Sequence, residues 1–494
     1  MEGEFLIRLA LAIPVLGACG IALTGRVPNL REGVTLTTAG ALFWVVVIRL
    51  APMVLDGARP EAVLLETFAG IELAMRVEPL GMLFACIAST LWIVNSIYSI
   101  GYMRGNDEPR QTPYYAAFAI AIGAAVGIAF AGNLFTLFLF YEILTLSTYP
   151  LVVHKGDEEA RIKGRVYLVL LISTSMMLLL PAIIWTWVAA GTSEFAPGGI
   201  LAGAGLSTGA LAAMLVLYIF GIGKAAVMPV HFWLPAAMVA PTPVSALLHA
   251  VAVVKAGVFT VVKVIVYVFG VDYLAASGAA AWLTYVAGFT VIAASVVALM
   301  QDNLKARLAF STVSQLSYVV LAVAILTPIS VLGAALHIAA HAVSKITLFF
   351  AAGSIYTAAH LTEISQLDGV GRRMPWTMGA FAIGSLSMIG VPPTAGFVSK
   401  WFMLTGATAA ENWVALGVIV VSTGLNAAYF LPIVWRAFWR PAPAPDAHRP
   451  AHGEGPLPVV LALTLTALGT LALFFFPGPV LDLARAVIVE ARPQ

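Results

Sequence analysis

Charge is what this sequence has least of. Asp, Glu, Lys and Arg make up 10% of its 494 residues, against roughly 25% in a water-soluble globule. Hydrophobic residues make up 61% and the mean hydropathy is +0.96. Cysteine is nearly missing too. Cys19 and Cys86 form no CxxC unit, and both sit in apolar runs, where they read as small buried hydrophobes. No GxGxxG, Walker sequence, CxxCH or HExxH occurs, so there is no visible site for a nucleotide, haem or iron–sulfur cluster, and no cofactor is expected. A net charge of +2 without a basic tail gives nucleic acid nothing to bind.

What is present is hydrocarbon, from end to end. A helix needs about 20 apolar residues to cross a bilayer core, and this chain supplies such runs repeatedly. Alternating barrel strands are absent, so the expected class is an all-α polytopic membrane protein with lipid around it. Fourteen crossings are expected, centred near residues 14, 42, 90, 121, 142, 177, 215, 255, 288, 317, 342, 388, 424 and 467. The third and eleventh read as long, the seventh and twelfth as broken. LIRLALAIPVLGACGIALTG follows an acidic MEGE and reads as a retained first helix rather than a leader. The polar connections DGARPEAVLLETFAGIELAMR, from Asp56, and PAPAPDAHRPAHGEGP, after Arg440, read as loops, and no soluble domain is expected.

Lysine and arginine sort by loop. The loops after odd-numbered helices hold fifteen, including Arg104, Arg110, Lys155 and Arg436; the even-numbered side with both termini holds six. Positive residues concentrate in the cytoplasm, which puts both termini outside. The five that remain, Lys224, Lys255, Lys263, Lys345 and Lys400, lie in or beside hydrophobic helices, and none is an arginine. Lysine can give up its proton when desolvated; arginine essentially cannot.

These buried charges are the candidate site. Glu142 stands alone in NLFTLFLFYEILTLSTYP, where a carboxylate is costly unless paired or protonated. Lys224 precedes Pro229 in GIGKAAVMP, where Gly221 and Gly223 also weaken the helix. Unwound backbone at membrane depth must face protein or a water-filled cavity. An ammonium group taken out of water is easier to deprotonate, and a nearby carboxylate has the opposite effect. Moving Glu142 toward or away from Lys224 would therefore load or release a proton. Snorkelling to the interface is the alternative for Lys224. His337, His341 and Lys345 recur at i, i+4, i+8, on one helix face. Imidazoles relay protons near neutral pH. No Cys or nearby carboxylate completes a metal set, so no metal is expected. Lys255, six residues after His249, can link the two halves; Lys263 is placed to snorkel. In QDNLKARLAFSTVSQLSYV, Asp302 is expected to pair locally with Lys305 and Arg307.

The break recurs at SMIGVPPTAGFVSKWF, where Pro392 and Pro393 precede Lys400. Lys224 with Pro229 and Lys400 with Pro392 look like two copies of one device, five helices apart. An odd number of helices per repeat inverts one copy, and paired broken helices point to a transport site. The organisation expected is three N-terminal helices (1–112), a first five-helix repeat (113–270), a second (271–440), then a loop, a helix and a tail (441–494).

Together, NLFTLFLFYEILTLSTYPLV, GIGKAAVMPVHFWLPAAMVAPTPVSALLHA, DNLKARLAFSTVSQLSYV, LHIAAHAVSKITLFFAAGSI and GVPPTAGFVSK resemble the proton-translocating antiporter-like family shared by complex I and Mrp antiporters. The resemblance spans roughly residues 75–440. It implies a fourteen-helix fold with inverted five-helix repeats. It also implies that Glu142 and Lys224 are the fifth-helix glutamate and seventh-helix lysine pair, that Lys255 continues inward, that His337 and His341 form the central relay, and that Lys400 is the terminal basic residue. His231 falls near the mouth of the broken helix. The length and ending resemble the D-type subunit of Mrp antiporters, and also the shorter complex I subunits. The expectation is a proton-conducting subunit of a cation/proton antiporter in a bacterial inner membrane, with sodium or potassium as candidate coupling ions and other membrane subunits as partners. The alternative is a proton-pumping subunit of complex I or of a membrane-bound hydrogenase. A passive scaffold is disfavoured, because it would gain nothing from so many desolvated charges.

Overall fold

The computed structural model describes residues 1–66, 72–442 and 453–491. Most of the linker after Arg440 lies outside them. Twelve helices are long and apolar enough to cross a membrane. They are α1 (Glu2–Leu23), α2 (Pro28–Leu55), α3 (Pro79–Gly105), α4 (Gln111–Ala129), α5 (Leu134–Val152) and α6 (Glu158–Ala190). After an interrupted segment come α8 (Thr242–Phe269), α9 (Ala281–Met300), α10 (Leu304–Ala324) and α11 (Pro328–Ala359). After a second interruption come α13 (Trp413–Trp439) and α14 (Leu457–Phe475). The first interrupted segment is α7 (Thr208–Gly221), which breaks into short turns before Trp233–Ala236. The second is α12a (Pro375–Ile389) followed by α12b (Ala395–Ala409). An amphipathic α15 (Gly478–Ala491) closes the described chain. The chain is thus a multi-pass membrane protein whose interruptions fall where proline and glycine were read.

Three sequence expectations change. The sixth helix, at 33 residues, is the longest, ahead of the eleventh at 32 and the third at 27. It continues through a π-helical stretch, Ser175–Leu179, two residues ahead of Pro181, so the proline shifts the helix register without ending it. The connection after Asp56 is not plain loop: β1 (Glu61–Glu66) and β2 (Glu72–Arg76) pair antiparallel, with Glu61 opposite Arg76. Cys19 is exposed rather than buried, and Cys86 is partly buried, because α1 and α2 are edge helices with much of their surface uncovered.

Loop contacts fall into two sets. On one side, Met75 bridges Ala131, Asn133 bridges Glu194, and Gly198 N–H donates to Glu490 O. On the other, Arg110 donates to His154 O, Asn303 bridges Glu363, and Arg436 binds Asp368. The first set joins connections after even-numbered helices, the second those after odd-numbered ones, with each interrupted segment counted as one crossing.

The core lies around α8, wholly buried along its membrane-length window, and α11, buried over 94% of its own. In a membrane such burial marks helices ringed by other helices, away from lipid. These two carry Lys255, Lys263, His337, His341 and Lys345.

Candidate functional site: a buried row of basic side chains

The first break is built by close approach. Gly221 packs against the π-helical turn of α6, and a Cβ there would meet Leu179 N at 2.4 Å. Gly257 lets α8 press on the unwound backbone; its Cβ would stand 2.3 Å from the Lys224 carbonyl carbon. Neighbours satisfy the groups that unwinding frees, as burial requires. Trp233 Nε1 donates to Gly223 O at 2.9 Å, and Lys224 N–H donates to Tyr141 Oη at 3.1 Å.

Lys224 is fully buried. Its Nζ donates to Tyr141 O at 2.9 Å and to Thr145 Oγ1 at 2.6 Å, and lies 3.1 Å from the Tyr141 ring centre. Lys224 thus grips the turn of α5 that carries Glu142. Neither Glu142 carboxylate oxygen has a hydrogen-bond partner, and no salt bridge joins it to Lys224 among the described residues. Backbone and hydroxyl oxygens hold the ammonium group while the carboxylate waits beside it.

The centre of the row is shorter-linked. Lys255 Nζ lies 2.6 Å from His341 Nδ1. The stripe on α11 shares one face but addresses different neighbours. His337 Nδ1 lies 2.9 Å from Ser399 Oγ on α12b and its Nε2 3.0 Å from Gln315 Oε1 on α10, while Lys345 Nζ donates to Ser311 Oγ at 2.8 Å. The His337 and His341 rings are 6.1 Å apart between centres. His249 is buried with both ring nitrogens unpartnered, in a π-helical turn, Leu247–Val251, one turn before Lys255. Such turns are frequent at functional sites.

At the second break, Gly396 brings α12b against α12a; a Cβ there would fall 1.8 Å from Ser387 O. Lys400 Nζ donates to Met388 O at 2.8 Å and Ile389 O at 3.0 Å, the carbonyls that the interruption leaves free. It sits 4.7 Å from the Tyr318 ring centre. Lys400 therefore neighbours His337 through α12b and α10.

Two secondary candidates behave otherwise than their sequence suggested. Lys263 does not snorkel. It is fully buried, 2.9 Å from Glu78 Oε2, and donates to Ala131 O at 2.7 Å. Glu78 comes from the cap of α3, 185 positions away in sequence. Asp302 pairs with neither Lys305 nor Arg307. It accepts from Ser365 N and Oγ, while Lys305 donates to Met238 O and Ala240 O and Arg307 to Gln301 O, Leu299 O and Tyr429 O. Asn303, not Asp302, caps α10, so the carboxylate is free to tie the neighbouring loop. His231 is buried beside Pro229 O at 3.3 Å and stays local. Among the described residues no group of three or more His, Cys, Asp or Glu is arranged to hold a metal ion.

Interrupted helices that fold buried lysines and histidines into one row define a class: polytopic membrane proteins that handle small cations or protons at mid-depth. Residues 131–426 match the family model described as NADH:quinone oxidoreductase/Mrp antiporter, TM. The chain belongs to that family of proton-translocating membrane subunits. It is 31% identical over 395 residues to NADH-quinone oxidoreductase subunit N of Desulforudis audaxviator, covering 79% of this chain and 76% of that one. It is 31% identical to a Na(+)/H(+) antiporter subunit of Alkalihalophilus pseudofirmus over 73% of this chain and 47% of that one. Its fold superposes on a chain of the Mrp complex from Dietzia sp. with TM-score 0.87 at 22% identity, covering 99% and 97% of the two chains.

Proposed function

We propose that this chain is the proton-conducting subunit of a multisubunit sodium or potassium/proton antiporter, similar to the D-type subunit of Mrp antiporters. Protons pass between Glu142, Lys224, Lys255, His341, His337 and Lys400, with Lys345 tuning the centre. The observation that carries this reading is the direct contact between Lys255 and His341, two proton-exchanging groups on different core helices, 2.6 Å apart and wholly buried. A fixed structural contact would not need two basic groups there. The Lys224 and Lys400 breaks flank that contact, and oxygens of α5 and of α12a hold the two ammonium groups without neutralising them.

In this reading there are fourteen crossings, the helices α4–α8 and α9–α13 are inverted repeats, and both termini face outside. The sorting of loop contacts into two sets supports the count, and the fifteen-to-six charge bias supports the side. A cysteine placed at Lys155 should label from the cytoplasm; labelling from outside would reverse the orientation. The redox-driven alternative is favoured by the two-way coverage of the match to the quinone oxidoreductase relative. The test is to express the intact gene cluster, reconstitute the complex in vesicles, and impose sodium, potassium and proton gradients separately. Cation-dependent proton movement supports the antiporter; proton movement only with an electron donor and acceptor supports the alternative; neither, in an assembled complex, overturns both.

A further inference from the structure

One buried ion pair stands outside the row. Among the described residues, Lys263 is the only one of the five membrane lysines within salt-bridge distance of a carboxylate. It lies two turns beyond Lys255 on α8, at i+8, about 12 Å along the axis. Lys255, Phe259, Lys263 and Tyr267 recur every four residues, so both lysines face one way. Glu78 caps α3 two residues after β2 ends at Arg76, and Ala131, whose carbonyl accepts from Lys263, precedes Gly132.

Arg76 and Gly132 both line a polar cavity of about 350 Å³ beneath the hairpin. Its other walls include Glu4, Arg8, Glu61, Glu72 and Glu194, so four carboxylates face two guanidinium groups. The pair is therefore one layer of backbone away from an acidic, solvent-facing cavity, which concentrates cations and protons. A buried ion pair is a poor source of stability compared with packed apolar residues of the same volume, so tying α3 to α8 does not by itself account for it.

We propose that Glu78 and Lys263 form a second proton-exchange pair that connects the central Lys255 to the acidic cavity under the hairpin and gives the proton path a mouth on that face. Release begins when the Lys263 ammonium passes its proton to the Glu78 carboxylate, leaving a neutral amine and a neutral acid. It ends when Glu78 gives that proton to water in the cavity, and a proton reaching Lys263 from the Lys255 side restores the ion pair. The inference rests on the proton-conducting reading above.

The test uses the whole complex in vesicles, with proton flux read by a trapped pH indicator and abundance by a tag on this chain. Lys263→Arg keeps the charge and the pairing but holds its proton, and Glu78→Gln keeps the shape but cannot carry one. Each should lower flux roughly tenfold or more at normal abundance, while Glu78→Asp retains most of it. Lys224→Arg is the control. If it abolishes flux while K263R or E78Q keeps the wild-type rate, this inference fails and the proton-conducting reading survives. If Lys224→Arg also keeps the wild-type rate, that reading fails first. If neither K263R nor E78Q assembles, the pair is a folding element and the inference is overturned as well.

Discussion

The two breaks solve the same problem with different chemistry. At the first, Lys224 leaves its own segment and is held by α5, through Tyr141 O, Thr145 Oγ1 and the Tyr141 ring. At the second, Lys400 turns back on its own segment and is held by Met388 O and Ile389 O. The supporting helices also differ. Both α5 and α10 start from an asparagine cap, Asn133 and Asn303. Nine residues on, α5 carries Glu142 and α10 carries Thr312. The first break therefore sets a base beside an acid, and a small movement can compensate its charge. The second offers Lys400 only dipoles among the described residues. In the proposed path, one end is therefore switchable by a carboxylate and the other is not.

Replacing each lysine by arginine tests that difference most severely. Lys224→Arg should lower proton flux by roughly a hundredfold, because arginine keeps its proton beside either state of Glu142. Lys400→Arg should cost roughly tenfold or more, since carbonyls accept from a guanidinium as well as from an ammonium. Equal effects at the two sites, in vesicles with equal amounts of complex, would erase the proposed asymmetry. A finer cut is Thr145→Val, which keeps the shape and removes one acceptor from Lys224. A hydrogen bond to a charged group contributes about 1.5–3 kcal/mol, so if the lower part of that range falls on the loading step, flux should drop about tenfold. An unchanged rate would mean that Tyr141 alone holds the ammonium.

The smallest effect is expected outside the row. His154 follows α5 in a loop, with Nε2 3.8 Å from Glu108 Oε2. Burial, then the Arg110 guanidinium, holds its imidazole below the usual histidine range. Burial raises the Glu108 carboxyl above its usual range. At pH 7.5 His154 is neutral, so His154→Gln should change flux by less than about twofold. Because the folded-state histidine is depressed, its stabilising contribution is complete above about pH 6.5 and is lost as pH falls from there toward the folded value. Glu108 runs the other way: its contribution is present in acid and lost as pH rises from about 4.5 through the raised folded value. Amide protection at residues 106–112 and 153–157, corrected for the intrinsic slowing of exchange in acid, should therefore fall more between about pH 6.5 and 5.5 in wild type than in His154→Gln. The same change in protection in both would place the sensitivity elsewhere.

What could be read from the sequence were features with a local cause. Gly221, Gly223 and Pro229, then Gly390, Pro392 and Pro393, are breaks written in adjacent residues, and the helix ends in or near them. The His337–His341–Lys345 stripe is a spacing, so its shared face follows from helix geometry. What could not be read were partners distant along the chain. Lys263 looked like a snorkelling residue because nothing near it in sequence is acidic; Glu78 reaches it only when α3 packs beside α8. Asp302 looked paired because Lys305 and Arg307 stand close by, yet the helix start turns those side chains to backbone carbonyls instead. The hairpin is not legible because EAVLLE is a short apolar run between two glutamates, with no apolar–polar alternation to mark a strand. Cys19 looked buried because hydropathy does not distinguish a helix facing protein from one facing lipid.

In the proposed path the two breaks work through one buried connection, Lys255 to His341. It is tested most directly by proton flux through the complex carrying Lys255→Arg, measured in vesicles under an imposed cation or redox driving force and normalised to the amount of assembled chain. Both breaks keep their residues in this variant, and arginine keeps the positive charge at the centre. Nearly all flux should be lost at normal assembly. Wild-type flux in that variant would contradict it, because protons would then be crossing without Lys255 ever giving one up.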